Sequence, residues 1–221
     1  GNPVPVQVPL GSEDTFQGVA DLLESKALFY ESNGHVSFQE GPIPQEYKEG
    51  FAKSRDAMVE KIVETDEGLM IKYLEGEELG AEELRRCLRR ATIAGTLVPV
   101  LCGSALSSRG IDPLLDAIID YLPAPTDIPP VEGVLSRTGE QVLREAKDDA
   151  PFSALAFKVM TDPFVGRLVY LRIYSGTVQA GATVYNSSKN IRERMGRILH
   201  MHANRREEME TVSGGNICAA V

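Results

Sequence analysis

One run limits what this chain can become. Val98-Pro99-Val100-Leu101 is a short apolar stretch closed by Cys102-Gly103-Ser104, and helical periodicity resumes at Ile111, Leu114, Leu115, Ile118, Ile119 and Leu122. An apolar run bounded by Gly-Ser predicts a buried parallel strand, a loop and an amphipathic helix, which is half of a βαβ unit. In open α/β sheets ligands lie outside the carboxyl ends of the strands. The backbone amides of Ser104, Ala105 and Leu106 are therefore the first place to expect one. A loop that only turns the chain fits the same pattern equally well.

The partner strand is Asn2 to Leu10, punctuated by Pro3, Pro5 and Pro9. Proline cannot donate to a ladder, so the strand starts and stops abruptly. Placed beside Val98 to Leu101, it makes residues 11–95 an insertion between neighbouring strands. Within the insertion Asn33-Gly34 predicts a tight hairpin between Phe16–Glu31 and Val36–Glu40, because both residues accept positive φ. Tyr47, Phe51, Met58, Ile62, Leu69, Tyr73 and Leu74 then form a helical apolar stripe that Thr65-Asp66-Glu67-Gly68 interrupts. A further helix is expected from about Ala81 to Ala94. Glu82 and Glu83 sit in its first turn and Arg85, Arg86, Arg89 and Arg90 further along, an order that suits the helix dipole and a solvated, ion-paired face.

Residues 125–150 change character. Pro125, Pro129 and Pro130 stiffen a linker, and Ser136-Arg137-Thr138-Gly139 reads as a turn between two extended pieces. From 151 to 221, β-rich segments alternate with Gly, Pro, Asn and Ser at the spacing of an all-β barrel. The expected architecture is thus α/β plus all-β.

Charge divides along the same boundary. Residues 1–150 carry 14 Lys and Arg against 27 Asp and Glu, whereas residues 151–221 carry nine against five. Only the last third can meet nucleic acid on charge grounds, and a merely solvated basic surface is the equal alternative. Cys87, Cys102 and Cys218 lack metal-ligand spacing and fit a reducing cytosol. Cys102-Gly103-Ser104 begins like a papain-type nucleophile segment, but Ala105 breaks that pattern and Cys102 sits in the apolar run as a small hydrophobe. His200 and His202 share a strand face with no third ligand, so no metal is expected. No apolar run approaches bilayer length and no leader-like start is present, which predicts a soluble cytoplasmic chain.

Taken together, these segments resemble the translational GTPases, and within them they are most similar to the elongation factor G family. Gly103-Ser104-Ala105-Leu106, the Gly110-Ile111-Asp112-Pro113-Leu114-Leu115 helix start and Tyr121-Leu122-Pro123-Ala124-Pro125 are similar to the last guanine-binding element. Val6 to Leu22 and Lys72-Tyr73-Leu74-Glu75-Gly76-Glu77-Glu78-Leu79 resemble the subdomain which that family inserts before it. Thr161 to Leu168, Tyr174 to Gly181 and Met195 to Glu208 look like the second domain.

The resemblance implies a partial P-loop GTPase sheet (residues 1–10 and 96–124) with an inserted α+β subdomain (11–95). A linker (125–150) and a truncated translation-factor β-barrel (151–221) follow. It implies that Ser104, Ala105 and Leu106 line the guanine base, and that GTP or GDP with Mg is held by the intact protein only. It also implies a monomer that contacts the ribosome, its stalk protein through the acidic insertion and small-subunit RNA through basic barrel residues such as Arg167, Arg192, Arg194 and Arg197. The Gly-x-x-x-x-Gly-Lys-Ser/Thr, Asp-x-x-Gly and Asn-Lys-x-Asp motifs occur nowhere in the 221 residues. Those parts hold phosphates and read the base by side chain. The expectation is therefore an internal piece of a GTP-dependent translocase, inactive as a GTPase by itself. A ribosome-recycling paralogue, a release-factor GTPase or a ribosome-protection GTPase would share these features. A stand-alone RNA-binding barrel is the reading from a different class.

Overall fold

The first ten residues of the computed structural model, which describes residues 1–30, 38–162, 165–202 and 205–221, form two strands in two different sheets. β1 (Asn2–Pro5) runs parallel to the strand Leu97–Val100, with Asn2 opposite Leu97 and Pro5 opposite Val100. One residue later β2 (Gln7–Leu10) joins an antiparallel sheet with β3 (Gly18–Asp21), β4 (Lys26–Tyr30) and β5 (Phe38–Gly41), in that order. Val6 is the joint: its N–H donates to the Val100 carbonyl at 3.0 Å and its carbonyl accepts from Leu22 N–H at 3.0 Å. The insertion sheet therefore begins at Gln7. β4 and β5 pair as expected, and the Asn33-Gly34 turn between them lies outside the described residues.

Helices follow the sheet. α1 (Lys48–Val63) buries Met58, Val59, Ile62 and Val63, the i, i+1, i+4, i+5 pattern of one helix face. Its end and the start of α2 (Glu67–Leu74) are set by Asp66, whose carboxylate accepts from Leu69 N–H at 2.9 Å as an N-cap. α3 (Ala81–Ile93) buries Leu84, Cys87, Leu88 and Ala91, and β6 (Leu97–Val100) and α4 (Ile111–Tyr121) complete the unit Gly1–Leu122. A single core joins Val4, Met58, Ile62, Leu84, Leu88, Leu97 and Tyr121.

The unit Pro123–Val221 opens with a hairpin inside the stretch expected to be linker, β7 (Val131–Val134) against β8 (Gln141–Arg144). The segment after the hairpin is hydrogen-bonded onto the sheet region: Gly176 N–H donates to the Lys147 carbonyl at 2.8 Å, and Ser175 Oγ donates to the Pro151 carbonyl at 2.6 Å. β9 (Ser153–Asp162), β10 (Gly166–Ser175), β11 (Thr177–Gln179), β12 (Thr183–Asn186), β13 (Ile191–Arg194), β14 (Ile198–His202), β15 (Arg205–Met209), β16 (Thr211–Ser213) and β17 (Ile217–Ala220) complete it. They make a five-stranded sheet in the order β15-β14-β17-β10-β9 and two paired ribbons, β11–β16 and β12–β13. The expected barrel is not closed among the described residues: β9 and β15 are edges. On edge strand β9 the side chains of Leu155, Phe157, Val159 and Met160 are exposed.

Candidate functional site

The loop between β6 and α4 is pinched at its neck by two glycines. A Cβ on Gly103 would stand 2.7 Å from the Arg109 carbonyl oxygen, and one on Gly110, at φ +80°, would stand 2.8 Å from the Cys102 carbonyl oxygen. Only glycine permits that approach of backbone to backbone. Inside the neck Ser104 N–H donates to the Arg109 carbonyl at 2.8 Å, and Arg109 N–H returns a bond to the Ser104 carbonyl at 3.0 Å. Ser108 N–H closes on the Ala105 carbonyl at 3.2 Å, and Ser107 N–H reaches Ser104 Oγ at 3.4 Å.

The tip is therefore a small self-bonded turn, and it divides the three residues expected to line a base. The Ser104 amide is spent within the loop. The amides of Ala105 and Leu106 have no protein acceptor among the described residues, and the Leu106 side chain is fully exposed at 101%. A ligand atom that needs a donor can find one at those two positions without any change in the loop.

The neck is braced from the insertion. Cys102 packs with Phe16, Val19, Leu28 and Tyr30, side chains of the antiparallel sheet and its approach. Burial pushes its thiol up to about 11, which removes any thiolate nucleophile at neutral pH. The guanidinium of Arg109 donates to the Phe16 carbonyl oxygen. Nothing in the local sequence signals this residue, because its acceptor is a main-chain carbonyl far upstream.

Three of the four arginines of α3 are tied into the fold, and the expectation of a solvated face is corrected for Arg85 and Arg89. Arg85 pairs with Glu24, with Glu82 at 2.7 Å and with Asp120 at 3.6 Å, beside a cavity of about 350 Å³ lined by Gln7, Asp21, Glu24 and Tyr121. Arg89 donates to main-chain carbonyls at the end of α4. Arg90, the more exposed one, pairs with Asp66 at 2.5 Å.

The acidic residues of the insertion divide similarly. Glu60, Glu64 and Glu67 are exposed, and Asp56, Glu60 and Glu64 repeat every four residues along α1 as a stripe. Asp66 is committed to its cap and to Arg90.

The four basic candidates of the second unit do not form one patch. Arg192 and Arg194 share a face of β13, with Tyr185 directly opposite Arg192, and all three are exposed. Arg194 Nε also donates to the Gly181 carbonyl at 3.2 Å. Arg167 starts β10 in alternation with Val169, whereas Arg197 precedes β14 in alternation with Leu199, which packs with Leu168. The pleat thus directs Arg167 and Arg197 to opposite faces of the five-stranded sheet. Arg197 is also paired with Glu208 at 2.9 Å.

Three comparisons bear on these surfaces. The family model described as elongation factor Tu domain 2 matches residues 166–221. A curated elongation factor G from Thermotoga maritima is 52% identical over 220 residues, which is 100% of this chain and 32% of that protein. A crystal structure of a Thermus thermophilus protein superposes with a TM-score of 0.75 at 33% identity, over 99% of this chain and 30% of the other. The chain spans about a third of the length of the curated relative it matches. Over its whole length this chain is thus similar to a part of elongation factor G, and over residues 166–221 to the second domain of elongation factor Tu.

Proposed function

We propose that the chain is the portion of a GTP-dependent ribosomal translocase that carries the last guanine-reading loop and two ribosome-facing surfaces, and that the intact factor moves tRNA and mRNA during protein synthesis in the cytoplasm. The observation that supports this most is the 52% identity maintained over the whole chain. In this reading residues 1–6 and 96–124 end the GTPase domain, the insertion starts at Gln7, 125–150 connect, and 151–221 begin the second domain. The apolar stripe on α4 agrees with it: Leu114, Leu115, Ile118, Ile119 and Leu122 are exposed, as are Val98 and Val100 of β6. A parallel sheet is normally covered on both faces, and further sheet and helix would cover this one.

The residues present suit a guanine base and not its phosphates. The amides of Ala105 and Leu106 are donors set to meet the guanine carbonyl oxygen, with Ser104 fixing the turn that aims them. Among the described residues no group of three His, Cys, Asp or Glu side chains is placed to hold a metal ion. A neutral hydrogen bond contributes about 0.5–1.5 kcal/mol net, too little to retain a nucleotide alone.

Two partners are proposed with it. The Asp56–Glu60–Glu64 stripe suits a basic surface of the ribosomal stalk protein, and Arg192, Arg194 and Tyr185 suit phosphate and base contacts to small-subunit RNA. Among the described residues no helix is long and apolar enough to cross a membrane. The test is direct. Purified chain should show no magnesium-dependent GTP turnover and no specific GDP binding in calorimetry up to millimolar nucleotide, and Ala105→Pro in the intact factor should weaken GDP binding. Turnover by the chain alone, or unchanged GDP affinity in a folded Ala105→Pro factor, would overturn the proposal.

A further inference from the structure

The guanine loop is not held by its own strand and helix alone. Its outer strand returns through Arg109, whose N–H and carbonyl form the two-bond bridge to Ser104 and whose guanidinium crosses to the Phe16 carbonyl. Phe16 lies between β2 and β3, where the chain turns back into the insertion sheet; there Gln17 N–H donates to the Leu10 carbonyl at 2.8 Å and Tyr30 N–H donates to the Gln17 carbonyl at 3.0 Å. Arg109 therefore fastens the loop to a point that is itself fixed by two strands of that sheet. Cys102, on the other side of the neck, packs into the Phe16, Val19, Leu28 and Tyr30 cluster of the same sheet.

We infer that Arg109 is a positioning residue for the guanine loop, one that makes the aim of the Ala105 and Leu106 amides depend on the insertion sheet. This rests on the guanine-loop reading proposed above. The physical reason is the shape of the turn. Ser108 sits at φ +54° and Gly110 at φ +80°, and among the described residues the tip beyond the Ser104–Arg109 bridge is tied only by Ser107 and Ser108. A turn fixed only at its neck can still rock about that neck. A charged donor bonded to the sheet's backbone removes the rocking, whereas a side chain bonded within the loop would move with it. A hydrogen-bond donor misaimed by about 1 Å loses most of its value to the base.

The dependence runs both ways. Anything that shifts the Phe16 carbonyl, including a partner bound to the insertion, will change guanine affinity, and nucleotide binding will change affinity for that partner by the same factor.

The test uses the intact factor with Arg109→Met, which keeps the aliphatic stem and removes the donors, and Arg109→Lys, which restores one. GDP affinity and dissociation rate are measured for each, with circular dichroism and melting temperature as controls, alone and in an Ala105→Pro background. Gly103→Ala serves as a second loop variant. The expected result is a three- to ten-fold weaker GDP affinity for Arg109→Met, carried by faster dissociation, with Arg109→Lys within about two-fold of the parent. Arg109→Met should add less than about two-fold in the Ala105→Pro background, since both act through one loop. Full additivity would place its effect elsewhere and overturn the inference. Unchanged GDP affinity in Arg109→Met, with a loss in Ala105→Pro and Gly103→Ala, would overturn the positioning role and leave the loop reading standing. No effect in any folded variant would remove the loop reading and the inference with it.

Discussion

The guanidinium of Arg89, on α3, donates to the main-chain carbonyl of Asp120 at 2.6 Å, and through the same nitrogen to Ile119 at 3.2 Å and Leu122 at 3.4 Å. The last carbonyls of a helix have no partners within it, and a cation placed there meets both their hydrogen-bonding need and the negative end of the helix dipole. Arg89→Ala should lower the stability of the Gly1–Leu122 unit by about 1–3 kcal/mol, read as a reduced urea midpoint at constant m-value. Arg89→Lys, which keeps a cation near the same carbonyls, should recover part of it.

Two aspartates should respond to pH in opposite senses. The Leu69 N–H bond, with Arg90 beside it, holds the Asp66 carboxyl below the ordinary 3.8. Its contribution is therefore present above the unfolded value and lost as pH falls through the lower, folded one. Burial pushes the Asp21 carboxyl above 3.8 despite bonds from Leu23 and Glu24 N–H. Its charged form is disfavoured in the fold, so its effect opposes stability at neutral pH and fades as acid protonates it. Asp66→Ala should cost about 0.5–2 kcal/mol at pH 7, a difference that shrinks towards zero in strong acid. Asp21→Asn, which keeps the acceptor oxygen, should be neutral or stabilising at pH 7, with the difference from the parent shrinking as the carboxyl protonates. Denaturant titrations from neutral pH into acid check both signs.

Charge reversal along α1 should separate docking from fold. Glu60→Lys and Glu64→Lys together should weaken binding of the stalk protein's C-terminal domain by roughly ten-fold or more at low salt. Parent binding should itself weaken between about 50 and 300 mM salt, because exposed pairs are screened. Fluorescence titration at two ionic strengths measures both, and indifference to salt would speak for a solvated face.

The split of the arginines makes a further expectation. Arg192→Ala and Arg194→Ala, on one face with Tyr185, should each lower ribosome affinity of the intact factor similarly and reduce the salt slope by about one. Arg167 and Arg197 point to opposite faces of the sheet, so at most one of them should act with that pair. Filter binding over a salt series with the four single variants decides which.

What the sequence makes legible is what short-range chemistry controls. The strand at Val98–Leu101, the helix from Ala81, the Asp66 stop between two helices and the Thr138-Gly139 turn follow from period, capping and turn residues within a few positions, but the strand expected to be buried leaves Val98 and Val100 exposed. The break at Val6 is not legible, because residues 2–10 are extended throughout and only distant partners decide that the first half pairs in parallel and the second antiparallel. The apolar period of α4 identifies a helix, but the period does not say that Ile119 is 75% exposed here. At the loop, residue types pick out Ser104, Ala105 and Leu106 together. Only the folded geometry separates the spent amide from the two available ones, and only it reveals Arg109, whose acceptor is a backbone atom 93 residues away.

The parallel register of β1 and β6 bears on how the insertion could be cut out. The chain leaves β1 at Pro5, opposite Val100, and returns at Leu97, opposite Asn2, so exit and re-entry lie at opposite ends of the strand pair. A graft that fused residue 10 to residue 96 would have to turn residues 6–10 back along about 10 Å of strand, and it would also discard α3. With Arg89 on the end of α4 and Leu84 and Leu88 in the same core as Val4 and Leu97, α3 is the crossover helix of the β1–β6 pair and so part of the supporting scaffold rather than cargo. A minimal version of this protein should keep residues 80–95 and also α1, which shares that core, and the Phe16 turn that receives Arg109.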